Sequence, residues 1–194
     1  GFGEVRVAYH TARGSALDTR LLRANVLRGV LEATTDARVN IVNADLLARK
    51  RGLRVVETVV AAEGEGALAM LEVSLDSRAA RFSAAVDAQG RICVAGAVKG
   101  DAPFLTRIGG FDVDLAMEGD VLLVRQTDRP GIIAGVASEL AENDINISFM
   151  TVGRQGKGGE AIMAIGVDAA PDVKLLDAIK ALPGVYETTA FSEA

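Results

Sequence analysis

Residues 126–136 read QTDRPGIIAGV, placing an amide, a carboxylate, a guanidinium, a proline and a glycine between an apolar run and a run with helical spacing. That order suits the capture of a small zwitterion. The first turn of a helix leaves backbone N–H groups without internal partners, and its partial positive charge favours a carboxylate. Pro130 has no N–H to waste and brings a helical φ, while Gly131 removes the side chain that would block approach. Gln126 and Asp128 share strand parity and so face one side. A free amino acid carries a carboxylate and an ammonium about two bonds apart. Helix-start N–H groups and Asp128 offer the matching charges. On the residues alone a second use stays open, in which Asp128 caps its own helix.

Other chemistry-bearing residues are sparse. The stretch RKRGLR, residues 49–54, holds four basic residues in six. Its cations either complement the dipole of a helix end or, as Lys50, Arg51 and Arg54 with Arg107 of FLTRIGG, form a candidate anion site, because arginine forks suit phosphate and carboxylate. His10 is the single histidine and Cys93 the single cysteine. One cysteine excludes an internal disulfide and fits a reducing compartment. No cluster of Cys, His and carboxylates has the makings of a metal site, so none is expected. Cys93, inside RICVAGAV, reads as a small core residue, and His10 as structural or solvated near a strand end. GRQGKGGEA has glycines, but not the spacing or the strand–helix setting of a dinucleotide fingerprint, and reads as a hairpin loop. No nucleophile–base constellation appears, so the chain by itself is expected to be non-catalytic.

The elements that must position these groups fall into two rhythms. EVRVAYH alternates Val5, Val7 and Tyr9 as a half-buried strand. SALDTRLLRANVLRGVLEATTD repeats apolar residues at helical intervals, with Ser15 or Asp18 as candidate caps. A second helix is expected from about Ala44 to Gly52. Strands are expected over 53–62, 67–75, 79–87 and 91–98, with turns at Gly64 and Gly66, at DSR and at DAQG. GDAPFLTRIGG reads as a loop and FDVDLAM as a strand. Beyond Glu118 and Gly119 the order becomes βαββαβ over about seventy residues, the pattern of a ferredoxin-like sandwich. In its second strand Ile145, Ile147 and Phe149 alternate with Asn146, Ser148 and Met150. The expected class is α+β in two domains. Residues 1–117 form an α/β domain with one mainly antiparallel sheet, and residues 118–194 form the ferredoxin-like domain. The short linker couples them.

The totals bound the rest. The chain has 194 residues, 49% hydrophobic and 24% charged, with a formal net charge of -5. It should fold into a packed globule, and a general role on nucleic acid or membrane is not expected. It opens on Gly1 without a legible signal peptide, which reads as a fragment or a chain that has lost a leader.

D-R-P-G after the first strand of a βαββαβ unit, with N-D-I-N-I opening the second, resembles an ACT domain, a small-molecule sensor of amino-acid metabolism. LDTRLLRANVLRGVLE, VNIVNADLLARKRGLR, FMTVGR and AIMAIGVD resemble the C-terminal half of plant-type D-3-phosphoglycerate dehydrogenases, where an intervening (allosteric-substrate-binding) domain precedes an ACT domain. The resemblance implies an enzyme that, when whole, oxidises 3-phosphoglycerate to 3-phosphohydroxypyruvate with NAD on the route to serine. The NAD site lies outside this chain, which needs no cofactor of its own. ACT domains of the family pair edge to edge and hold serine between them. Here that implies Gln126, Asp128 and backbone groups of Ile132 and Ile133 from one copy, and Asn146 from the other. It implies a homodimer through ACT domains, a tetramer at full length, and a plastid stroma, or otherwise the cytoplasm. Family members vary at the position of Gln126, which leaves the choice of effector open. Bacterial members with an anion site carry an arginine where this chain has Ala116, a departure that weakens the anion reading. The competing reading is an assembly module with a vestigial pocket.

Overall fold

The computed structural model describes residues 3–12, 17–62, 68–76 and 80–192. Ser15, Gly64 and Gly66, and Ser77 and Arg78 of the DSR turn lie outside them.

The first sheet has six strands in the order β2-β1-β3-β4-β5-β6. They are β1 (Glu4–Ala12), β2 (Arg54–Ala62), β3 (Met70–Leu75), β4 (Ile92–Lys99), β5 (Ala102–Ile108) and β6 (Phe111–Ala116). Only β1 and β2 run parallel, joined through α1 (Arg20–Glu32) and α2 (Ala44–Lys50); the other pairs are antiparallel, as expected. The alternation in β1 turns Val5, Val7 and Tyr9 to one face, where they are fully buried against Leu22, Val26 and Val30 of α1. The neighbouring flank of α1 carries Leu27 and Leu31, which close on Ala44 and Ala48 of α2. Burying a side chain of this size stabilises by about 1.5–3 kcal/mol.

Two expectations are corrected here. The run 79–87 is not a strand. Among its described residues the chain makes a single 3-10 turn, Ser83–Ala85, and one bridge, Val86 to Ile92. Its alternating burial has another cause, since Phe82 and Ala84 plug into a cluster with Ile108 and Phe111. Conversely, the supposed loop GDAPFLTRIGG contains β5, hydrogen-bonded on both sides. The glycines that suggested a loop form its end turns, Gly100 and Gly109 both having positive φ.

The second sheet has four antiparallel strands in the order β10-β7-β9-β8. They are β7 (Asp120–Thr127), β8 (Ile147–Arg154), β9 (Glu160–Val167) and β10 (Val185–Ser192), with α3 (Ile132–Glu142) after β7 and α4 (Val173–Ala181) after β9. This is the expected βαββαβ sandwich. Leu122, Val124, Met163 and Ile165 face α3 and α4, meeting Val136, Leu140, Leu175 and Ile179. The opposite face does not meet water. Val121, Leu123, Ile162 and Ala164 pack on Ile108, Phe111, Val113 and Leu115 of the first sheet, so the two sheets share a core. Polar bonds frame that junction. The backbone N–H of Ser83 donates to both carboxylate oxygens of Glu187 at 2.9 Å, and Arg125 donates to the Ser83 hydroxyl at 2.9 Å while pairing with Glu160 at 2.6 Å.

The expected alternation in β8 fails midway. A register shift between Ile147 and Phe149 leaves Ile145, Ile147 and Met150 on the helix side and turns Phe149 to the junction. A bulge inserts one residue and so reverses the faces beyond it.

Candidate functional site

The corner after β7 is built by a left-handed residue. Gly131 has φ 93 and stands as the N-cap of α3, with no side-chain cap. A side chain at that φ is strained. The helix therefore starts at Ile132, and Pro130 lies ahead of the Gly131 cap. The side chain of Ile132 is in the core, while Ile133 is half exposed.

Asp128 does not cap α3. Its carboxylate turns to the β8–β9 hairpin, where Oδ2 accepts from the Gly158 backbone N–H at 3.2 Å and meets Arg154 Nη1 at 3.4 Å. Its own N–H donates to the Gly159 carbonyl at 2.8 Å, fixing the corner to that hairpin. Gln126 lies two residues earlier on the same side of β7. It is 3% exposed, and its side-chain carbonyl oxygen is buried with no hydrogen-bond partner among the described residues. An orphaned acceptor of this kind costs about 1–3 kcal/mol unless something satisfies it. On the α4 side of the corner lies a cleft of ≈ 230 Å³, walled by Arg129, Gly131, Ile132, Gly135, Leu182 and Pro183.

Asn146 is elsewhere. Thr127, beside Asp128, pairs with Glu160 at the start of β9, whereas Ile147, beside Asn146, pairs with Val167 at its end. At about 3.3 Å per strand residue the two positions are separated by about 23 Å along the sheet. The Asn146 amide is engaged with Asp168 at 3.1 Å. Within one copy Asp128 and Asn146 do not converge. β8 is an outer strand, so a two-fold axis crossing its free edge at right angles to the strand would carry the Asn146 end of one copy to the Asp128 end of the other.

The four basic candidates do not form one cluster. Lys50 ends α2, Arg51 donates to Thr34, and Arg54 pairs with Glu4 at 3.3 Å. Arg107, on β5, pairs with Glu72 at 3.1 Å and Asp112 at 3.5 Å. Arg54 and Arg107 lie four strands apart, about 19 Å across the sheet. Cys93 is buried on β4, and burial pushes its thiol pKa up. His10 lies within β1, its Nε2 buried and without a partner among the described residues. Among the described residues no three His, Cys, Asp or Glu side chains gather as a metal site, and no helix is long and apolar enough to cross a membrane.

Arg154 is a candidate at this corner that sequence reasoning missed. It stands 26 positions from Asp128, at the foot of a glycine-rich loop that reads only as a turn. The signal was a lone arginine closing an alternating strand.

Residues 2–99 match the model of the D-3-phosphoglycerate dehydrogenase intervening domain. The chain belongs to the D-3-phosphoglycerate dehydrogenase family. Residues 121–184 match the ACT domain model, and that span contains the corner. D-3-phosphoglycerate dehydrogenase 3, chloroplastic, of Arabidopsis thaliana is 40% identical over 190 residues, 96% of this chain and 32% of that protein. D-3-phosphoglycerate dehydrogenase 2, chloroplastic, of the same plant is 42% identical over 190 residues, 96% of this chain and 30% of its own length. A probable L-serine dehydratase beta chain of Bacillus subtilis is 36% identical over 89 residues, 46% of this chain and 40% of that one. The chain spans about a third of the length of the dehydrogenases it matches.

Proposed function

We propose that this chain is the regulatory and oligomerisation part of an NAD-dependent D-3-phosphoglycerate dehydrogenase, and that it binds an amino acid, L-serine being the first candidate, between two ACT domains. The enzyme as a whole oxidises 3-phosphoglycerate to 3-phosphohydroxypyruvate and feeds serine synthesis, in a plastid by analogy with the chloroplastic relatives. The division between the two domains falls at 117/118. The order of the two family matches, intervening domain then ACT domain, carries this reading. Two features support it: at the corner, Asp128 with the orphaned carbonyl of Gln126 beside it, and Asn146 at the far end of the sheet, where only a second copy brings it into use. The effector acts by binding one arrangement of the two domains more tightly than the other, and the shared core of Phe111, Leu123 and Ile162 makes their arrangement a collective property.

A second reading, an assembly module with a vestigial pocket, is favoured by one observation: the Asp128 carboxylate already has Arg154 and Gly158 as partners. Calorimetric titration of the chain with L-serine separates the two. Saturable heat that Asp128→Ala abolishes supports sensing. An intact dimer that gives no heat supports assembly alone.

A further inference from the structure

The two contacts on Asp128 leave the corner electrically incomplete. Both fall on Oδ2, and among the described residues Oδ1 has no partner. The ion pair with Arg154 is long, at 3.4 Å, and the arginine side chain is 60% exposed. A pair of that geometry in contact with water contributes little. A guanidinium carries five N–H donors in a planar fork, and here one of them reaches Asp128 at the limit of hydrogen bonding. One buried acceptor without a partner among the described residues, the Gln126 carbonyl, and one carboxylate oxygen that bonds no protein group among them, Asp128 Oδ1, thus lie on the corner beside an exposed planar cation. The acceptors call for an ammonium and the fork calls for a carboxylate.

We propose that Arg154 is the carboxylate-binding residue of the effector site, with an amino acid inserting between Arg154 and Asp128. This rests on the amino-acid-binding reading above. The ammonium takes Asp128 and Gln126, the carboxylate takes the Arg154 fork, and the Gly158 N–H continues to hold Asp128 Oδ2. The neighbour of Arg154 gives this placement a mechanical consequence. The backbone of Gly153 lies against the Asp112 carbonyl on β6, so a ligand that draws Arg154 inward pulls on the residue touching the first sheet.

The test uses the 194-residue chain and calorimetry with two probes, L-serine and L-alanine, each run beside its carboxamide, which keeps the ammonium and lacks the carboxylate. The wild-type chain is expected to prefer the acid over the amide. Arg154→Gln is expected to lose about ten- to a hundredfold in affinity for the acid, the range for a charge-assisted hydrogen bond, and to leave the amide unchanged, so the preference disappears. Arg154→Lys, which keeps the charge and loses the fork, should fall between them. If Arg154→Gln binds the acid as well as or better than the wild type with the preference intact, Arg154 is only a competitor for Asp128. The proposal is then overturned and the amino-acid reading survives. A wild-type chain that binds none of the four probes overturns both.

Discussion

Gly153 on β8 rests directly on the main chain of Asp112 on β6: a β-carbon at 153 would lie 2.3 Å from the Asp112 carbonyl oxygen. The carbonyl belongs to a hydrogen-bonded sheet and cannot yield as a flexible side-chain end would. Gly153→Ala is therefore expected to part the two sheets at this point and to destabilise the chain by about 1–3 kcal/mol, the range for overpacking a filled core. A lowered urea midpoint checks this. A midpoint unchanged from wild type would mean that the sheets do not touch here in solution.

The buried hydroxyl of Tyr9 yields a pH dependence. It donates to Glu57 at 2.8 Å, and the other oxygen of Glu57 pairs with Arg23. Burial first, and then the bond to Glu57, raise the Tyr9 pKa well above its usual value. Below about pH 10, the ordinary tyrosine pKa, folded and unfolded chains both hold the phenolic proton and no pH term arises. Above it the unfolded chain releases the proton while the folded chain keeps it, so stability falls as pH rises. Tyr9→Phe is expected to cost about 1–3 kcal/mol near neutrality through the lost bond to a charged acceptor. Its deficit against wild type should be constant up to about pH 10 and shrink beyond it. Urea midpoints of both chains from neutral to alkaline pH test this, and a gap that widens with pH would contradict it.

How far the sequence could be read varies with the range of the interaction that decides each element. Alternation in β1, helical spacing in α1 and the βαββαβ order are local patterns, and all three are present in the structure. The 3-10 turn at Ser83–Ala85 and the strand β5 were misread because each is decided by partners distant in sequence: Phe82 plugs into a junction made with β7 and β9, and β5 is a strand because β4 and β6 flank it. The site divides in the same way. Gln126 and Asp128 were legible from parity and turn chemistry. Arg154 was not, because only the hairpin return of β8 brings it to Asp128.

The bulge in β8 gives a test at the same range. With Phe149 turned to the junction, its ring lies over Gly166: a β-carbon there would be 2.1 Å from the ring and 2.6 Å from the Ser148 hydroxyl. Gly166→Ala is expected to displace the partly buried Phe149 ring from the junction and to destabilise the chain by about 1–3 kcal/mol, the range for overpacking. Phe149→Ala in the Gly166→Ala background should add much less than Phe149→Ala alone, since contacting residues are not additive. Equal increments in the two backgrounds would place the ring elsewhere.

The separation of Asp128 from Asn146 supplies a test of the shared site that depends on neither the identity of the effector nor its sign. Along β9 the two residues stand at opposite ends, so a site using both takes one from each copy. Asp128→Ala and Asn146→Ala should each abolish binding in a pure dimer, because every site then lacks one contributor. Mixing and re-annealing the two variants produces mixed dimers in which one site carries both defects and the other carries none. With random exchange half of the dimers are mixed, and about a quarter of the wild-type number of sites should return at wild-type affinity, as two-fold symmetry requires. Titration of the mixture with L-serine, or with whichever amino acid the wild type binds, reads that stoichiometry directly. If the mixture stays silent while the wild type binds, both residues act within one copy or one is needed only for folding, and the two-copy site is wrong.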